Sequence, residues 1–323
     1  MIKAAIVGLG WWGERLLGAA RPVADKIRFV HGVSPRPSTR QTIADKYGLR
    51  LSASIPEMLC DPSIEAVVLA TPHSLHADQI TEILAAGRPV LCEKPLVLTK
   101  ADAERVVRAA ENAGLLLAVA HNRRFLPATT ELRRLAQAGA LGELLHIEGH
   151  ISNENSSSNF APWRHDDAES PAGGLTGTGV HMLDQFVALL GPVRRVSTQF
   201  LQWKPPPGAL DSLSVMLEFE GGQSGTLAMI RATPRVWRLH VFGILGSAEN
   251  HDENGMVLRF SGQAPQRQDY PPVDTLSLEL QAFADALEGR APYPITNQHM
   301  IDTAAAFEAI VASVKAGGSR IAV

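Results

Sequence analysis

Three glycines near the start of the chain carry its most specific chemical signal. Gly8-Leu9-Gly10-Trp11-Trp12-Gly13 follows a short apolar run and opens an amphipathic stretch. A G-x-G-x-x-G string in that context is a dinucleotide-binding turn, because each glycine has a separate task. Gly8 permits the tight turn, Gly10 lets backbone approach a diphosphate, and Gly13 lets the helix pack closely on the strand. The helix dipole then faces the anion. Gly8, Gly10, Trp11, Trp12 and Gly13 are therefore candidate cofactor-binding residues, and the chemistry they imply is hydride transfer with a nicotinamide dinucleotide. An NAD-selective site carries a carboxylate roughly 20 residues further on, where it bonds the ribose 2′-hydroxyl. Here the stretch reads Gly32-Val33-Ser34-Pro35-Arg36, without a carboxylate. The Ser34 hydroxyl and the Arg36 guanidinium suit a 2′-phosphate, so NADP is preferred over NAD. Arg36 also reads as a solvated residue at a helix start.

A turn of this kind needs a parallel sheet behind it. Residues 2–7, 27–33, 66–70, 89–92 and 115–119 read as strands, and 13–20, 38–47, 75–86 and 100–113 as helices between them. Thr99 is placed to cap the helix at 100, and Gly48, Gly87 and Gly114 stand where helices should stop. After residue 121 the texture changes. A helix over 124–138 is followed by runs with period-two alternation at 144–151, 193–203, 212–219, 225–231 and 238–243, with Gly221-Gly222 as a hairpin turn. Two amphipathic helices, 276–288 and 298–315, close the chain. The expected fold is an α/β Rossmann domain with a parallel sheet over 1–121, then an α+β domain over 122–323 with a large open, mainly antiparallel sheet.

Composition narrows the function classes. With 323 residues, 45% hydrophobic and 20% charged, the chain suits two globular domains. Its net charge of -3 offers no basic field for nucleic acid or for a membrane surface. Cys60 and Cys92 are too few for a disulfide framework and are not spaced for zinc, so no metal is expected. No apolar stretch reaches the roughly 20 residues of a membrane helix, and no signal-peptide pattern opens the chain. A cytoplasmic location is the resulting expectation.

Further motifs, in order and spacing, give the whole chain a resemblance to a known family. Ala70-Thr71-Pro72-His73-Ser74-Leu75-His76, Glu93-Lys94-Pro95, Asn122-Arg123-Arg124-Phe125 and Gly179-Val180-His181-Met182-Leu183-Asp184 resemble those of the Gfo/Idh/MocA oxidoreductases, named for glucose-fructose oxidoreductase and inositol dehydrogenase. The resemblance implies that Lys94 is catalytic, its ammonium bonded to the reacting oxygen of the substrate, and that the peptide before Pro95 is often cis. A lysine at the carboxyl end of a parallel strand faces the crevice where ligands bind, which suits that role. His181 matches the family's acid/base histidine, and histidine is apt for moving a proton near neutral pH. Thr71, Pro72, His76, Glu93 and Lys94 resemble residues on the cofactor side, and Arg123 a residue near the substrate. The resemblance also implies a sugar, cyclitol or related cyclic substrate and a homodimer or homotetramer formed through the open sheet.

Some residues keep two readings. Asn159-Phe160-Ala161-Pro162-Trp163-Arg164-His165 combines an aromatic face with a guanidinium. Trp163 and Arg164 could hold a sugar ring or a carboxylate, or form a proline-anchored loop with Trp163 buried. Arg124 could equally serve a helix surface. Many family members carry Asp four residues before the histidine, where this chain has Gly177. Asp184, one helical turn beyond His181, could orient the histidine or make an ordinary polar contact; Asp166 and Asp167 are the other acids nearby. Gly177 keeps open a dinucleotide-binding sensor or partner subunit with weak catalysis, and the family fold keeps open an NAD-assisted glycosidase.

Overall fold

The computed structural model describes residues 1–153, 161–206 and 208–323. They form two compact units, Met1–Asn122 with Asp274–Ile301, and Arg123–Val273 with Asp302–Val323.

The first unit alternates strand and helix: β1 (Ile2–Val7), α1 (Trp11–Ala19), β2 (Ile27–Val33), α2 (Gln41–Tyr47), β3 (Arg50–Ser52), α3 (Ile55–Leu59), β4 (Ala66–Leu69), α4 (His76–Ala85), β5 (Val90–Glu93), α5 (Lys100–Ala113) and β6 (Leu117–Ala120). Its six strands lie in the order β3-β2-β1-β4-β5-β6, every pairing parallel. Strands buried on both faces must be continuously apolar, and Ala66-Val67-Val68-Leu69 is buried at every position. Thr99 caps α5 by accepting the Asp102 amide, and Gly114 ends the helix in the left-handed conformation. The strand order reverses at β1 and β4, whose ends meet at the Val7 and Leu69 pairing. Open α/β sheets bind ligands outside the strand ends at such a reversal.

The second unit contains α6 (Pro127–Gln137), β7 (Leu144–Asn153), α7 (Val180–Leu190), β8 (Val193–Lys204), β9 (Leu210–Phe219), β10 (Ser224–Arg231), β11 (Val236–Gly243), β12 (Gly246–Asn250), β13 (Gly255–Phe260) and β14 (Gln266–Asp269). The chain then runs through α8 (Thr275–Leu287) and α9 (Asn297–Lys315) to β15 (Ile321–Ala322). Nine strands lie in the order β14-β13-β12-β11-β7-β10-β9-β8-β15. Among the described residues of this sheet, only the β7–β10 pairing is parallel. β9 alternates, with Leu213, Val215, Leu217 and Phe219 buried and Met216 65% exposed on the opposite face. α7 lies close on β7: a Cβ on Gly149 would come 2.4 Å from Met182 Cγ.

The expected helix over 124–138 divides in two. A short 3-10 turn spans Asn122–Phe125, and Pro127 starts α6 because the residue before a proline, Leu126, is disfavoured in helical geometry and is extended here. The sequence division at 121/122 followed the first change of pattern, whereas residues 274–301 gather with the first unit. α8 reaches it through polar anchors: Ser277 Oγ donates to the Ala19 carbonyl at 2.7 Å and Lys26 Nζ lies 3.3 Å from Asp285.

Candidate active site

In the first unit the glycine turn has the geometry that its spacing implies. Gly8 stands at φ +101, and a Cβ there would fall 2.4 Å from the Ala70 carbonyl oxygen as the chain leaves β4. A Cβ on Gly13 would sit 2.0 Å from the Gly8 oxygen, so the first turn of α1 is pressed onto the loop. Gly10 differs from both, since an added Cβ would meet nothing within 4 Å. As the N-cap of α1, Gly10 makes no side-chain cap bond, which leaves first-turn amide donors for an outside acceptor. Open space before uncapped amides fits the diphosphate of a dinucleotide.

Trp11 is 61% exposed, and the Arg15 guanidinium lies 5.2 Å from its ring and 5.6 Å from that of Trp12. Trp12 Nε1 donates to the Glu93 carboxylate. That bond joins the glycine turn to the Glu93-Lys94-Pro95 turn at the end of β5, an association that the sequence did not reveal. Glu93 and Lys94 are both buried, the Lys94 amide donates to Glu93 Oε2 at 3.2 Å, and the Lys94–Pro95 peptide is cis. Ser34 is buried just past β2 and accepts from the Arg36 amide at 3.4 Å; Arg36 is exposed. Thr71 Oγ1 donates to Gln79 at 2.6 Å, and Pro72 precedes a short 3-10 turn leading into α4. His76 is fully buried, its ring nitrogens turned toward backbone carbonyls of residues 71, 95 and 96. Cys92 is also fully buried, and burial pushes its thiol well above the ordinary range, the setting of a core residue.

In the second unit His181 is buried on the first turn of α7. The residues before it form a single π turn, Leu175–Gly179, where the sequence suggested only a glycine-rich loop. Two features favour the wider winding. Gly179 is squeezed against β10, where a Cβ would lie 1.8 Å from Met229 Sδ, and its amide reaches back to the Gly174 carbonyl at 3.1 Å. Gly177 sits within this turn. Three helical positions after His181, Asp184 receives a bidentate bond from Arg124: Nε to Oδ2 at 2.6 Å and Nη2 to Oδ1 at 2.7 Å, with Arg124 2% and Asp184 1% exposed. Arg124 is thus a buried partner of the α7 helix. Arg133 donates to the Arg124 carbonyl at 3.3 Å, and burial together with the Arg124 charge lowers its guanidinium to about 10.

Arg123 pairs with Glu253 and lies 4.6 Å over the Trp237 ring. Arg235 shares Glu253, whose carboxyl is held below its usual range by the two guanidinium groups despite burial. The Arg164 guanidinium stacks 4.5 Å over Trp163 on a short turn, Pro162–His165. Asn159 and Phe160 lie outside the described residues. The aspartates Asp166 and Asp167 are exposed, and Asp166 Oδ1 accepts the Ala168 amide at 2.9 Å. Sequence reasoning gave no signal for Glu253 or Trp237, since an acid and an aromatic 130 and 114 positions from Arg123 share no spacing rule. Among the described residues no group of three or more His, Cys, Asp or Glu is placed to hold a metal, and no helix is long and apolar enough to cross a membrane.

Comparison with known proteins places these features in a lineage. Residues 2–121 match the model of an oxidoreductase family with an NAD-binding Rossmann fold, and residues 129–249 match the GFO/IDH/MocA C-terminal domain. The chain is 27% identical over 303 residues to the rhizopine catabolism protein MocA of Rhizobium meliloti, covering 90% of this chain and 88% of that protein. It is 27% identical over 218 residues to scyllo-inositol 2-dehydrogenase (NADP(+)) IolW of Bacillus subtilis, covering 68% of this chain and 60% of that protein. The chain spans about half the length of other curated relatives that it matches. The crystal structure of the WlbA dehydrogenase from Bordetella pertussis, in complex with NADH and UDP-GlcNAcA, superposes with a TM-score of 0.86 at 23% identity, covering 100% of this chain and 97% of that one. At that identity the likeness concerns the fold.

Proposed function

Because the chain belongs to the Gfo/Idh/MocA oxidoreductase family, we propose that it moves a hydride between a nicotinamide dinucleotide and a secondary alcohol or ketone of a sugar, cyclitol or related cyclic substrate. The carrying observation is the pairing of two turns in the first unit. A glycine turn with open space at Gly10 is bonded through Trp12 and Glu93 to the turn that presents Lys94. When bound, the dinucleotide supplies a ring carbon that accepts or returns the hydride. Gly8, Gly10 and Gly13 with the α1 amides hold its diphosphate, and Thr71 and Pro72 lie on the nicotinamide side. Ser34 and Arg36 favour a 2′-phosphate, hence NADP over NAD; IolW, a relative, bears NADP in its name, while the WlbA structure contains NADH.

On the substrate, His181 withdraws the hydroxyl proton as the carbon–hydrogen bond is given up. The Lys94 ammonium steadies the developing alkoxide, and both act in reverse when a carbonyl is reduced. The buried Arg124–Asp184 pair fixes the helix that carries His181. Arg123, Trp163 and Arg164 are the proposed substrate contacts, with Arg123 braced by Glu253 and Trp237. The protein assembles as a homodimer or homotetramer through the open sheet face, where Met216 and Trp203 are exposed. The expected location is the cytoplasm.

The test is to titrate purified protein with NADP and NAD, then to follow the reduced-nicotinamide absorbance across a panel of polyols and sugars. Turnover with at least one cyclic polyol or sugar is expected, with NADP bound more tightly and Arg36→Ala weakening NADP more than NAD. Tight nucleotide binding without turnover on any substrate would favour the second reading, a dinucleotide sensor, which Gly177 in place of an acid supports.

A further inference from the structure

The π turn that leads into His181 rests on neighbouring strands of the large sheet. Asp211 opens the buried row of β9 and is 1% exposed, and Arg231 ends the matching row of β10. The Arg231 guanidinium grips that carboxylate as a fork, Nε to Oδ1 at 3.1 Å and Nη2 to Oδ2. Gly173 lies directly on this pair: a Cβ there would fall 2.8 Å from Asp211 Oδ1 and 2.8 Å from Phe200 Cε2 on β8. Further back along β10, Met229 carries the rest of the turn. A Cβ on Gly174 would sit 4.0 Å from Met229 Cβ, and one on Gly179 would sit 1.8 Å from its sulfur. The Gly174 carbonyl accepts the amides of Thr178 and Gly179 and the Thr178 hydroxyl, each at 3.1 Å.

The backbone over this seat is strained. Ala172 stands at φ +55 and Gly173 at φ +61. Glycine adopts the left-handed region freely, whereas alanine does so at a cost and persists there only where its surroundings fix it. A buried guanidinium–carboxylate fork is a rigid, directional support of that kind. His181 follows Gly179 closely in the chain, so a displaced turn carries its ring along. We propose that Asp211, held by Arg231, is a positioning residue. It seats the strained step at Ala172 and Gly173 and, through the Gly174 carbonyl, sets the π turn and the place of the His181 imidazole. The pair acts through backbone. Its effect on the ring stands on geometry alone; its effect on turnover rests on the hydride-transfer reading above.

The test compares full-chain Asp211→Asn with the same change in an Ala172→Gly background, by histidine NMR and by turnover. The His181 ring signal, assigned by its loss in His181→Gln, should move in Asp211→Asn. It should return toward its wild-type place when Ala172→Gly relieves the strain that the pair holds down. In turnover, Asp211→Asn should lower kcat by about tenfold or more with the nucleotide Kd within about threefold of wild type, and Ala172→Gly should recover about threefold or more of that loss. A pair that serves stability alone would leave the ring signal where it is, and Ala172→Gly would rescue nothing. A ring signal unmoved in Asp211→Asn, or moved but not restored by Ala172→Gly, overturns the proposal. If Asp211→Asn does not fold, the double replacement Arg231→Met with Asp211→Leu takes its place, because removing both charges disturbs folding far less than removing one. That variant should also move the ring signal; a signal and a kcat equal to wild type would overturn the seat. If the wild-type protein turns over no substrate while the ring signal moves and is restored as stated, the hydride reading fails and the positioning role stands.

Discussion

Replacing Asp184 with asparagine removes one charge from the helix that carries His181 and should be among the costliest single-atom-scale changes in the second unit. The carboxylate faces the Arg124 guanidinium through bonds of 2.6 and 2.7 Å, and its backbone oxygen accepts a third at 3.3 Å. Arg133 adds a second, half-buried guanidinium, already lowered to about 10. Desolvating two such ions is expensive, and their attraction offsets the expense only while both are present. Breaking a buried pair from one side costs about 3–5 kcal/mol, a large share of the roughly 5–15 kcal/mol that holds a domain folded. The double replacement Arg124→Met with Asp184→Leu removes both charges and should cost far less than either single change. Urea unfolding of the wild type, both single variants and the double variant gives the coupling. Because the two units can unfold in separate steps, hydrogen exchange in α7 localises the loss. The reasoning is refuted if Asp184→Asn loses less than about 1 kcal/mol, or if the double variant is less stable than the worse single one.

Gly10→Ala should leave folding within about 1 kcal/mol of wild type, since the added methyl meets no atom within 4 Å, yet raise the nucleotide Kd about tenfold or more by filling the space before α1. Calorimetric titration beside a thermal melt checks both halves. Gly13→Ala should instead lose stability, because its Cβ would sit 2.0 Å from the Gly8 oxygen. His240 gives a pH signature. Burial lowers its imidazole from 6.5 to about 4, so the folded ring stays neutral where the unfolded ring takes up a proton. Its share of stability is complete above 6.5 and is lost as pH falls toward about 4. Discounted for relaxation of the surroundings around the buried ring, the loss amounts to about 1–2 kcal/mol. His240→Leu should flatten that part of the stability–pH curve in denaturant melts; an unchanged slope would contradict the assignment.

The fold was largely legible because its signals are local. Continuous apolar runs at 4–7 and 66–69 require strands buried on both faces, and Thr99 with Gly114 marks both ends of α5. β14 went unread because Gln266–Asp269 is exposed at every position and offers no alternation. α8 is amphipathic in sequence, but a hydrophobic stripe does not say which sheet will cover it; its anchor on Ala19 comes from 258 residues away. At the candidate site, glycine spacing gave the turn because backbone sterics are encoded by residue type. The partners Trp12 with Glu93, Arg124 with Asp184, and Arg123 with Glu253 were not legible. An ion pair across 60 or more positions has no period, and its members read as ordinary surface charges until the fold brings them together.

Hydride chemistry that depends on Lys94 and His181 is tested most directly by turnover of Lys94→Ala and His181→Ala, followed at the reduced-nicotinamide absorbance on a substrate accepted by the wild-type protein. Each variant should fall by roughly 10²-fold or more while binding dinucleotide within about threefold of wild type. Wild-type turnover in either variant would contradict the account.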